Sequence, residues 1–329
     1  MRIAVVGAGV AGLAAARTVA IADHEVVVYE TAGAVGGRVA SRQLGPYLFD
    51  TGATSIAPRG KALEGAMLGE LDTSDLVPLT KSVYTIQYGR ISPGDTAKAK
   101  IQRYVYRSGN VRLPEMLAAG LDVRFATPVD RIREVDRCYE VAGERYEAVV
   151  VSAPIPETEE ILASLGDPRR FANARYRPCL SVLLGYAVDA GDRPYHALLE
   201  PEQRHPLTWL SFESIKSPGR APEGHTALVA QLSPVASVAL FNDSDADIVA
   251  ETSVHVARLL GEKFTQPEAT SVVRWRYSQP ETTALFDTVN RPGQRVVVAS
   301  DGVMGGRVEY AYESGVMAAR LLLEDPLAR

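Results

Sequence analysis

The chain has 329 residues, which at roughly 150 residues per domain predicts two domains. Hydrophobic residues make up 46% of the chain and charged residues 23%. This balance is that of a folded globular protein and excludes a disordered chain, a collagen-like repeat and a disulfide scaffold. The net charge of −5 gives no general attraction to nucleic acid or to anionic lipid, so we expect neither as a partner.

Two features of the sequence bear on the cellular compartment. The cysteines, Cys138 and Cys179, form no CxxC pair and no Cys/His cluster, which favours free thiols in a reducing compartment. Residues 3–22 are mostly apolar, but three glycines and Arg17 interrupt them. This pattern favours a strand, a turn and a helix over a signal peptide or a membrane span. We therefore expect a cytoplasmic protein.

The chain begins with a βαβ pattern. Residues 2–6 and 25–29 are apolar runs typical of buried strands, and the alanine-rich stretch 10–22 between them is typical of a helix. Two strands joined by a helix in this way lie in a parallel sheet.

The middle of the chain has a different pattern. Segment 81–107 favours β-structure with a turn at Pro93-Gly94, and stretch 192–225, which contains Pro, Gly and His, separates two β-like segments. The other expected elements are a helix at 113–119, strands at 123–125 and 148–152 with a polar hairpin at 131–146 between them, β-like segments at 179–188 and 226–232, a helix at 245–260 ended by Gly261, a strand at 296–299 and a helix at 308–323. This order predicts a discontinuous nucleotide-binding domain with a second domain inserted into it.

The hexapeptide 7–12 has the GxGxxG pattern of a dinucleotide-binding turn. Gly7 permits the tight turn, Gly9 lets the backbone approach a pyrophosphate, and Gly12 allows close packing of the helix. The helix N-terminus offers free N–H groups to the diphosphate. Glu30, 18 residues after Gly12, can accept both hydroxyls of an adenosine ribose and would repel a 2′-phosphate, which disfavours NADP here.

A second glycine pair favours FAD over NAD. Gly36-Gly37 lets the chain pass close to a diphosphate, and Arg38 can neutralise it. With Glu30, these residues resemble the ExxxxxxGGR element of the glutathione reductase-like flavoproteins, specifically of their amine oxidase branch. Segment 49–53 resembles the acidic-x-Gly-Ala segment of that branch, which runs beside the isoalloxazine.

Two later segments resemble further FAD-binding elements of this branch. Segment 122–129 resembles the strand whose valine meets the adenine, and segment 298–309 resembles the C-terminal element whose aspartate meets the ribityl or diphosphate part. The cysteine that some amine oxidases use to anchor flavin is absent, so the resemblance implies non-covalent FAD. The predicted cofactor-binding residues are Gly7, Gly9, Val10, Ala11, Gly12, Glu30, Thr31, Gly36, Gly37, Arg38, Gly52, Ala53, Thr54, Val129, Asp301, Arg307 and Val308.

Over nearly its whole length the chain is similar to the renalase-like flavoproteins in their short bacterial form. The segments that carry this resemblance, besides 7–12 and 30–38, are 178–179, 207–209, 217–220, 274–277 and 305–309. The resemblance implies an α/β fold: a Rossmann-type FAD-binding domain with a parallel sheet in three layers, and an inserted α+β substrate domain on a mixed or antiparallel sheet. We place the FAD-binding domain at 1–75, 105–157 and 288–329, and the substrate domain at 76–104 and 158–287.

The resemblance also implies an activity. Members oxidise the 2- and 6-dihydro isomers of NAD(P) to NAD(P)+, with hydride transfer to flavin N5 and reoxidation by O2 to give H2O2. The chain departs from the family beside the predicted flavin, with Thr51 in place of a histidine and Thr-Ser-Ile at 54–56 in place of Gln-Tyr-Phe. Two other functions therefore stay open: oxidation of an amine or desaturation of a small metabolite by FAD, and non-catalytic binding of FAD or NAD.

No acid–base residue can be assigned from the sequence, but some residues are candidates to face the substrate. Trp209, Trp275 and Tyr277 can stack on a dihydropyridine, cage an amine, or pack in the core. Arg59 can hold a phosphate or carboxylate, or lie in a surface loop. A basic set either attracts a phosphate-bearing substrate or forms a solvated face; its members are Lys98, Lys100, Arg103 and Arg107. The five histidines have no metal-ligand spacing, so we expect no metal.

Overall fold

A parallel sheet joins the two ends of the chain in the computed structural model, which describes residues 1–95, 100–167, 169, 171 and 174–324. Strands and helices are numbered in chain order. The strands of this sheet, in spatial order, are β19 (Val296–Val298), β13 (Ala148–Val151), β1 (Arg2–Val6), β2 (Glu25–Tyr29) and β9 (Asp122–Arg124), and each neighbouring pair is parallel. The strand order reverses at β1, and in such sheets ligands bind beyond the carboxyl ends of the strands at this point.

Helices pack against this sheet and against a second sheet described below. The helices α1 to α9 are Val10–Ile21, Lys61–Gly65, Arg112–Ala118, Ile155–Ala163, Glu213–Lys216, Pro234–Leu240, Asp245–Leu260, Phe286–Val289 and Val308–Leu323. Short 3₁₀ turns lie at Gly37–Val39, Glu262–Phe264 and Asp301–Val303, and a π turn at Ala66–Glu70. Helix α1 follows β1 directly and is buried along most of its length.

The second large sheet is a seven-stranded mixed sheet. Its spatial order is β18 (Ala269–Thr282), β14 (Arg175–Tyr186), β17 (Thr226–Leu232), β16 (Leu207–Phe212), β15 (Tyr195–Leu199), β6 (Ser82–Gln87) and β7 (Arg90–Pro93). All neighbours are antiparallel except β15 and β6. One face packs against α7 in an apolar cluster that includes Leu180, Val182 and Leu184 of β14 together with Ile248 of the helix. These two sheets confirm the predicted α/β fold with a separate mixed sheet.

Three small sheets complete the described fold. They consist of β3 (Ser41–Leu44) with β4 (Tyr47–Asp50), β5 (Leu76–Pro78) with β8 (Tyr104–Tyr106), and a meander of β10 (Arg133–Val135), β11 (Cys138–Val141) and β12 (Glu144–Tyr146). The predicted hairpin at 131–146 is thus a three-stranded meander. The domain boundaries given above stay a prediction.

One sequence prediction about the second sheet is wrong. The turn between β6 and β7 lies at Tyr88-Gly89, both with positive φ (51° and 72°), and not at Pro93-Gly94. A two-residue hairpin turn favours this conformation, whereas Pro93 ends the edge strand β7, where a missing N–H is tolerated. Stretch 192–225, which separates the two predicted β-like segments, contains β15, β16 and α5, whose apolar residues complete the buried face of the sheet.

Most other predicted elements are confirmed to within a few residues at their ends. Helix α7 begins at Asp245 and ends before Gly261 as predicted, and its N-cap is Ser244, whose Oγ accepts a hydrogen bond from the N–H of Asp247. Among the helices that the structure describes, none combines the length and the apolar character needed to cross a bilayer.

The close packing of α9 on α1 depends on Gly315. A Cβ at this position would overlap the carbonyl oxygen of Ala11. We expect Gly315→Ala to lower the free energy of unfolding by about 1–3 kcal/mol, because the two helices must separate. Urea denaturation measures this change. The matched control is Gly65→Ala, whose Cβ meets nothing within 4 Å; equal stability of the two variants would contradict the packing argument.

Candidate active site

The two glycine-rich turns meet at the carboxyl end of β1. The N–H of Gly36 donates to the carbonyl of Ala8 at 3.0 Å, and Gly9 and Gly36 form a parallel bridge. A Cβ at Gly9 would meet no protein atom within 4 Å, whereas one at Gly12 would overlap the carbonyl of Gly7. The open side of Gly9 is therefore free for a ligand, while Gly12 serves the packing of α1, as the sequence predicts for the two positions.

Glu30 closes this turn from the end of β2. Its carboxylate accepts hydrogen bonds from the N–H of Ala8 at 2.7 Å and of Ala32 at 2.8 Å. It therefore lies within the same crevice as Gly9, where an adenosine ribose would have to be held. Thr31 is exposed beside it, and Val129 is partly buried against the core of the parallel-sheet domain.

Arg38 and Asp301 lie side by side, although 263 residues separate them in the sequence. The guanidinium donates to both carboxylate oxygens, at 2.7 and 2.9 Å, and the hydroxyl of Tyr176 donates to the same carboxylate at 2.9 Å. Burial, and then the Asp301 charge, raise the pKa of Tyr176 to about 12, so this phenol stays a donor at neutral pH. Arg38 and Asp301, which the sequence analysis assigns to cofactor binding, thus form one ion pair.

The residues that would hold FAD fit this group. Open space at Gly9, free N–H groups at the start of α1 and the Arg38 guanidinium suit a diphosphate, and the Glu30 carboxylate suits a ribose. The FAD, when bound, supplies the electron acceptor of the reaction.

Four successive carbonyls fix the segment 51–54, which is predicted to run beside the isoalloxazine. They accept hydrogen bonds from side chains of four different elements: Trp275 Nε1 to Thr51 at 3.0 Å, Gln231 Nε2 to Gly52 at 2.7 Å, Asn110 Nδ2 to Ala53 at 2.8 Å and Lys216 Nζ to Thr54 at 2.6 Å. The segment is thereby held to the mixed sheet and to the start of α3 at once. Thr51, one of the departures from the family pattern, also donates its hydroxyl to the carbonyl of Ala40.

A fully buried ion cluster lies behind this segment. It consists of Asp50, Glu213, Lys216 and Arg220, all with side chains that are 0% exposed. Lys216 Nζ lies 3.0 Å from Asp50 and 2.7 Å from Glu213, and the guanidinium of Arg220 contacts both acids. Burial alone would raise the pKa of Asp50, but the charges of Lys216 and Arg220 lower it to about 2.

The predicted aromatic residues lie on the face of the mixed sheet that meets segment 51–54. Trp209 pairs in register with Gln231, and Trp275 pairs with Cys179, so the members of each pair point to the same face. The Nε1 of Trp209 is buried without a hydrogen-bond partner. Tyr277 stacks edge-on against Tyr176 at 5.9 Å. Three of the four substrate-facing candidates thus surround the predicted flavin segment and its Arg38–Asp301 neighbour.

The fourth candidate, Arg59, is exposed, and its backbone N–H donates to Glu309 of α9 at 2.7 Å. Arg307 is the N-cap of α9, and Val308 is its first residue. In the basic set, Arg103 is half-buried, Lys100 and Arg107 are exposed, and Lys98 lies outside the described residues.

Comparisons with known proteins show the family of this chain. A family model described as flavin-containing amine oxidoreductase matches residues 94–323, and one described as an NAD(P)-binding Rossmann-like domain matches residues 5–71. The first match spans more than two thirds of the chain. The chain therefore belongs to the flavin-containing amine oxidoreductases, and it is an FAD-dependent oxidoreductase.

Solved structures share the fold across the whole chain. A protein from Exiguobacterium sp. 255-15 that is assigned as a protoporphyrinogen oxidase has a TM-score of 0.77 at 16% identity, with 97% of this chain and 98% of that chain covered. Cyclohexylamine oxidase from Brevibacterium oxydans IH-35A has a TM-score of 0.76 at 14% identity, with 100% and 99% covered. At these identities the likeness shows the fold alone.

A curated relative matches over a short stretch. The 4,4′-diapophytoene desaturase of Staphylococcus aureus strain Newman is 46% identical over 56 residues, which is 17% of this chain and 11% of the desaturase. The match therefore covers about a ninth of that relative's length and carries no argument about its substrate.

Several residues of the site have no assigned role in the sequence analysis. Asn110, Gln231 and Tyr176 hold segment 51–54 or Asp301, but each belongs to a segment that contains no recognisable motif. Arg220 lies in segment 217–220, which carries part of the resemblance, and Asp50 is the acid of segment 49–53. These two segments gave the only sequence signal for the buried ion cluster.

The open side of Gly9 generates a test of cofactor binding. We expect Gly9→Val to fold normally, because its φ of −76° suits any residue and its Cβ meets no protein atom. The side chain would fill the space of the diphosphate, so flavin content should fall about tenfold or more. The measurement is the flavin-to-protein absorbance ratio after purification with added FAD. Gly69→Val, also in open space, is the control; full flavin content in Gly9→Val would contradict this site.

The ion cluster generates a test of stability. We expect Asp50→Asn to lower the free energy of unfolding at pH 7 by about 3–5 kcal/mol, because it leaves two buried cations with one acid. Since the pKa of Asp50 is lowered on folding, its contribution is present above about pH 4 and is lost as the pH falls towards 2. The difference between wild type and variant in urea denaturation should therefore shrink over that range.

The matched control for this test is Asp192→Asn. The Asp192 side chain is 97% exposed and pairs with Lys81, so this variant should stay within about 1 kcal/mol of wild type. An equally small change in Asp50→Asn would show that the buried pairings do not stabilise the fold.

Proposed function

We propose that this protein is an FAD-dependent oxidase of isomeric dihydronicotinamides, the 2- and 6-dihydro forms of NAD(P). Its substrate would be a dihydronicotinamide dinucleotide, whose hydride passes to FAD, and O2 would be the acceptor that gives H2O2. The chain's own residues would bind and orient the dihydropyridine ring and exclude water from it.

The observation that supports this proposal is the character of the sheet face beside segment 51–54. This face presents the flat side chains of Trp209 and Trp275. The acids near it are already paired with cations. Asp50 and Glu213 contact Lys216 and Arg220, and Asp301 contacts Arg38. A planar, uncharged ring can stack on such a surface. These acids are already paired, so they offer no carboxylate partner to an ammonium group.

The ionisable groups near this sheet face also fit a reaction in which no side chain removes a proton from the substrate. Burial raises the pKa of the Cys179 thiol to about 11, and Tyr176 likewise stays protonated. A dihydropyridine already carries the hydride that it donates, so its oxidation needs no general base, whereas an amine must first be neutral.

Amine oxidation is the second candidate function. Its support is the family itself and the fold shared with cyclohexylamine oxidase. The apolar side chain of Ile56, 1% exposed, belongs to the 54–56 departure and lies in the core, so the change at this position alters packing and adds no group that would bind an amine.

The test is a half-reaction. Anaerobic mixing of the yellow holoprotein with 6-dihydroNAD should bleach the flavin absorbance within seconds, and ordinary NADH should bleach it far more slowly. A panel of primary and secondary amines with peroxide detection is run in parallel. Flavin that keeps its colour with both dihydro isomers, or rapid bleaching by an amine, would overturn the proposal and leave FAD binding intact.

A further inference from the structure

Three chain segments, each carrying one arginine, converge beside the N-terminus of α9. Ile56 and Tyr104 exchange backbone hydrogen bonds at 2.9 and 2.7 Å, which places Arg103 next to the chain that leads to Arg59. The backbone N–H groups of Arg59 and Gly60 both donate to Oε1 of Glu309, which ties Arg59 to the first turn of α9. Arg307 is the residue immediately before this helix.

Within the described part of the chain, these arginines face no acidic partner. Among the described residues, no carboxylate lies within 4.0 Å of the guanidinium of Arg59, Arg103 or Arg307. Glu309 is 4% exposed and is occupied by backbone N–H groups. Arg307 instead lies over the ring of Tyr310 at 5.5 Å. By contrast, the cationic members of the neighbouring sites, Arg38 and Lys216, are ion-paired.

The positive charges of the three arginines repel one another. Burial, and then the charges of Arg59 and Arg307, lower the pKa of Arg103. A cluster of unpaired cations of this kind is unfavourable by itself, and a bound anion relieves the repulsion. The guanidinium fork matches the oxygens of a phosphate in geometry as well as in charge, and the N-terminus of the 16-residue helix α9 adds a positive dipole end.

A buried polar atom without a partner lies on the same side. His196 is 2% exposed; its Nδ1 lies 2.6 Å from the carbonyl of Lys81, and its Nε2 has no hydrogen-bond partner. Burial, with smaller contributions from the charges of Lys216 and Arg103, lowers its pKa to about 4. The neutral ring donates from Nδ1, so Nε2 is an acceptor that suits a hydroxyl or an amide N–H of a ligand.

We propose that Arg59, Arg103 and Arg307 form an anion subsite that binds the phosphate groups of the substrate. The inference rests on the proposed function for the identity of that substrate, a dinucleotide. The subsite itself rests on three guanidinium groups that face no carboxylate among the described residues. It gives Arg307 a role towards the substrate in place of the cofactor role that the sequence analysis predicts. It also explains why Arg103 is half-buried while Lys100 and Arg107 are exposed.

The test is calorimetric titration of the FAD-loaded protein with ADP-ribose, a diphosphate that cannot donate a hydride. Wild type should bind it, with an affinity that falls steeply as salt is raised. Arg59→Gln, Arg103→Gln and Arg307→Gln should each weaken binding about tenfold, and Arg103→Lys should lose less than Arg103→Gln. The control is Arg133→Gln in the β10–β12 meander, whose side chain is 59% exposed; it should bind as wild type does.

Two comparison ligands test whether the subsite recognises phosphate groups. Adenosine, without phosphate, should bind weakly and equally in all variants, and glutarate should bind less tightly than ADP-ribose. Equal ADP-ribose affinity in wild type and the three glutamine variants, or tighter binding of glutarate, would overturn the subsite. If Arg103→Gln does not fold, the exposed Arg59→Gln and the salt dependence still decide the question.

The outcomes also separate this inference from the proposed function. ADP-ribose binding that depends on the arginines, combined with no bleaching by dihydronicotinamides, would contradict the proposed reaction and leave the subsite standing. Rapid bleaching with an unchanged KM in all three variants would do the reverse. With both correct, the variants should raise KM about tenfold and leave kcat nearly constant.

Discussion

Two glycine turns meet at the end of β1, and their close approach determines where a cofactor crevice can form. Gly9 and Gly36 form a parallel bridge, and the N–H of Gly36 donates to the carbonyl of Ala8. These contacts bring the start of α1 and the segment leading to Arg38 to one point at the end of β1. This point is where the order of the parallel sheet reverses, so the N–H groups of the helix face an open crevice. Arg38 and Asp301 extend the same crevice towards the mixed sheet.

The segment that follows the crevice joins the two sheets. Its four carbonyls accept hydrogen bonds from side chains on separate elements, and the ion cluster around Asp50 fixes it from behind. Such a cluster is costly to form in the interior, because every charged group loses its hydration. It stabilises the fold only when every member keeps its partner. Its role is therefore to fix one backbone position, the one predicted to lie beside the flavin, against the aromatic face of the mixed sheet.

The sequence predicts those parts whose signals are local. The GxGxxG turn needs only consecutive residues, and helix α7 has its N-cap and its terminal glycine within its own pattern. Strands β15 and β16 escape prediction because their apolar residues are mixed with turn-forming ones, and their strand character comes from the sheet they complete. Pairings such as Arg38 with Asp301, or Asp50 with Arg220, join segments more than 160 residues apart, and spacing alone cannot reveal them.

A crystal structure of the FAD complex decides whether the cofactor occupies the crevice at Gly9. We expect electron density for the FAD diphosphate against the open side of Gly9, with the guanidinium of Arg38 alongside, the ribose at Glu30 and the isoalloxazine beside residues 51–54. Density for the flavin in another crevice, or a diphosphate with no contact to the Gly9 turn, would contradict it.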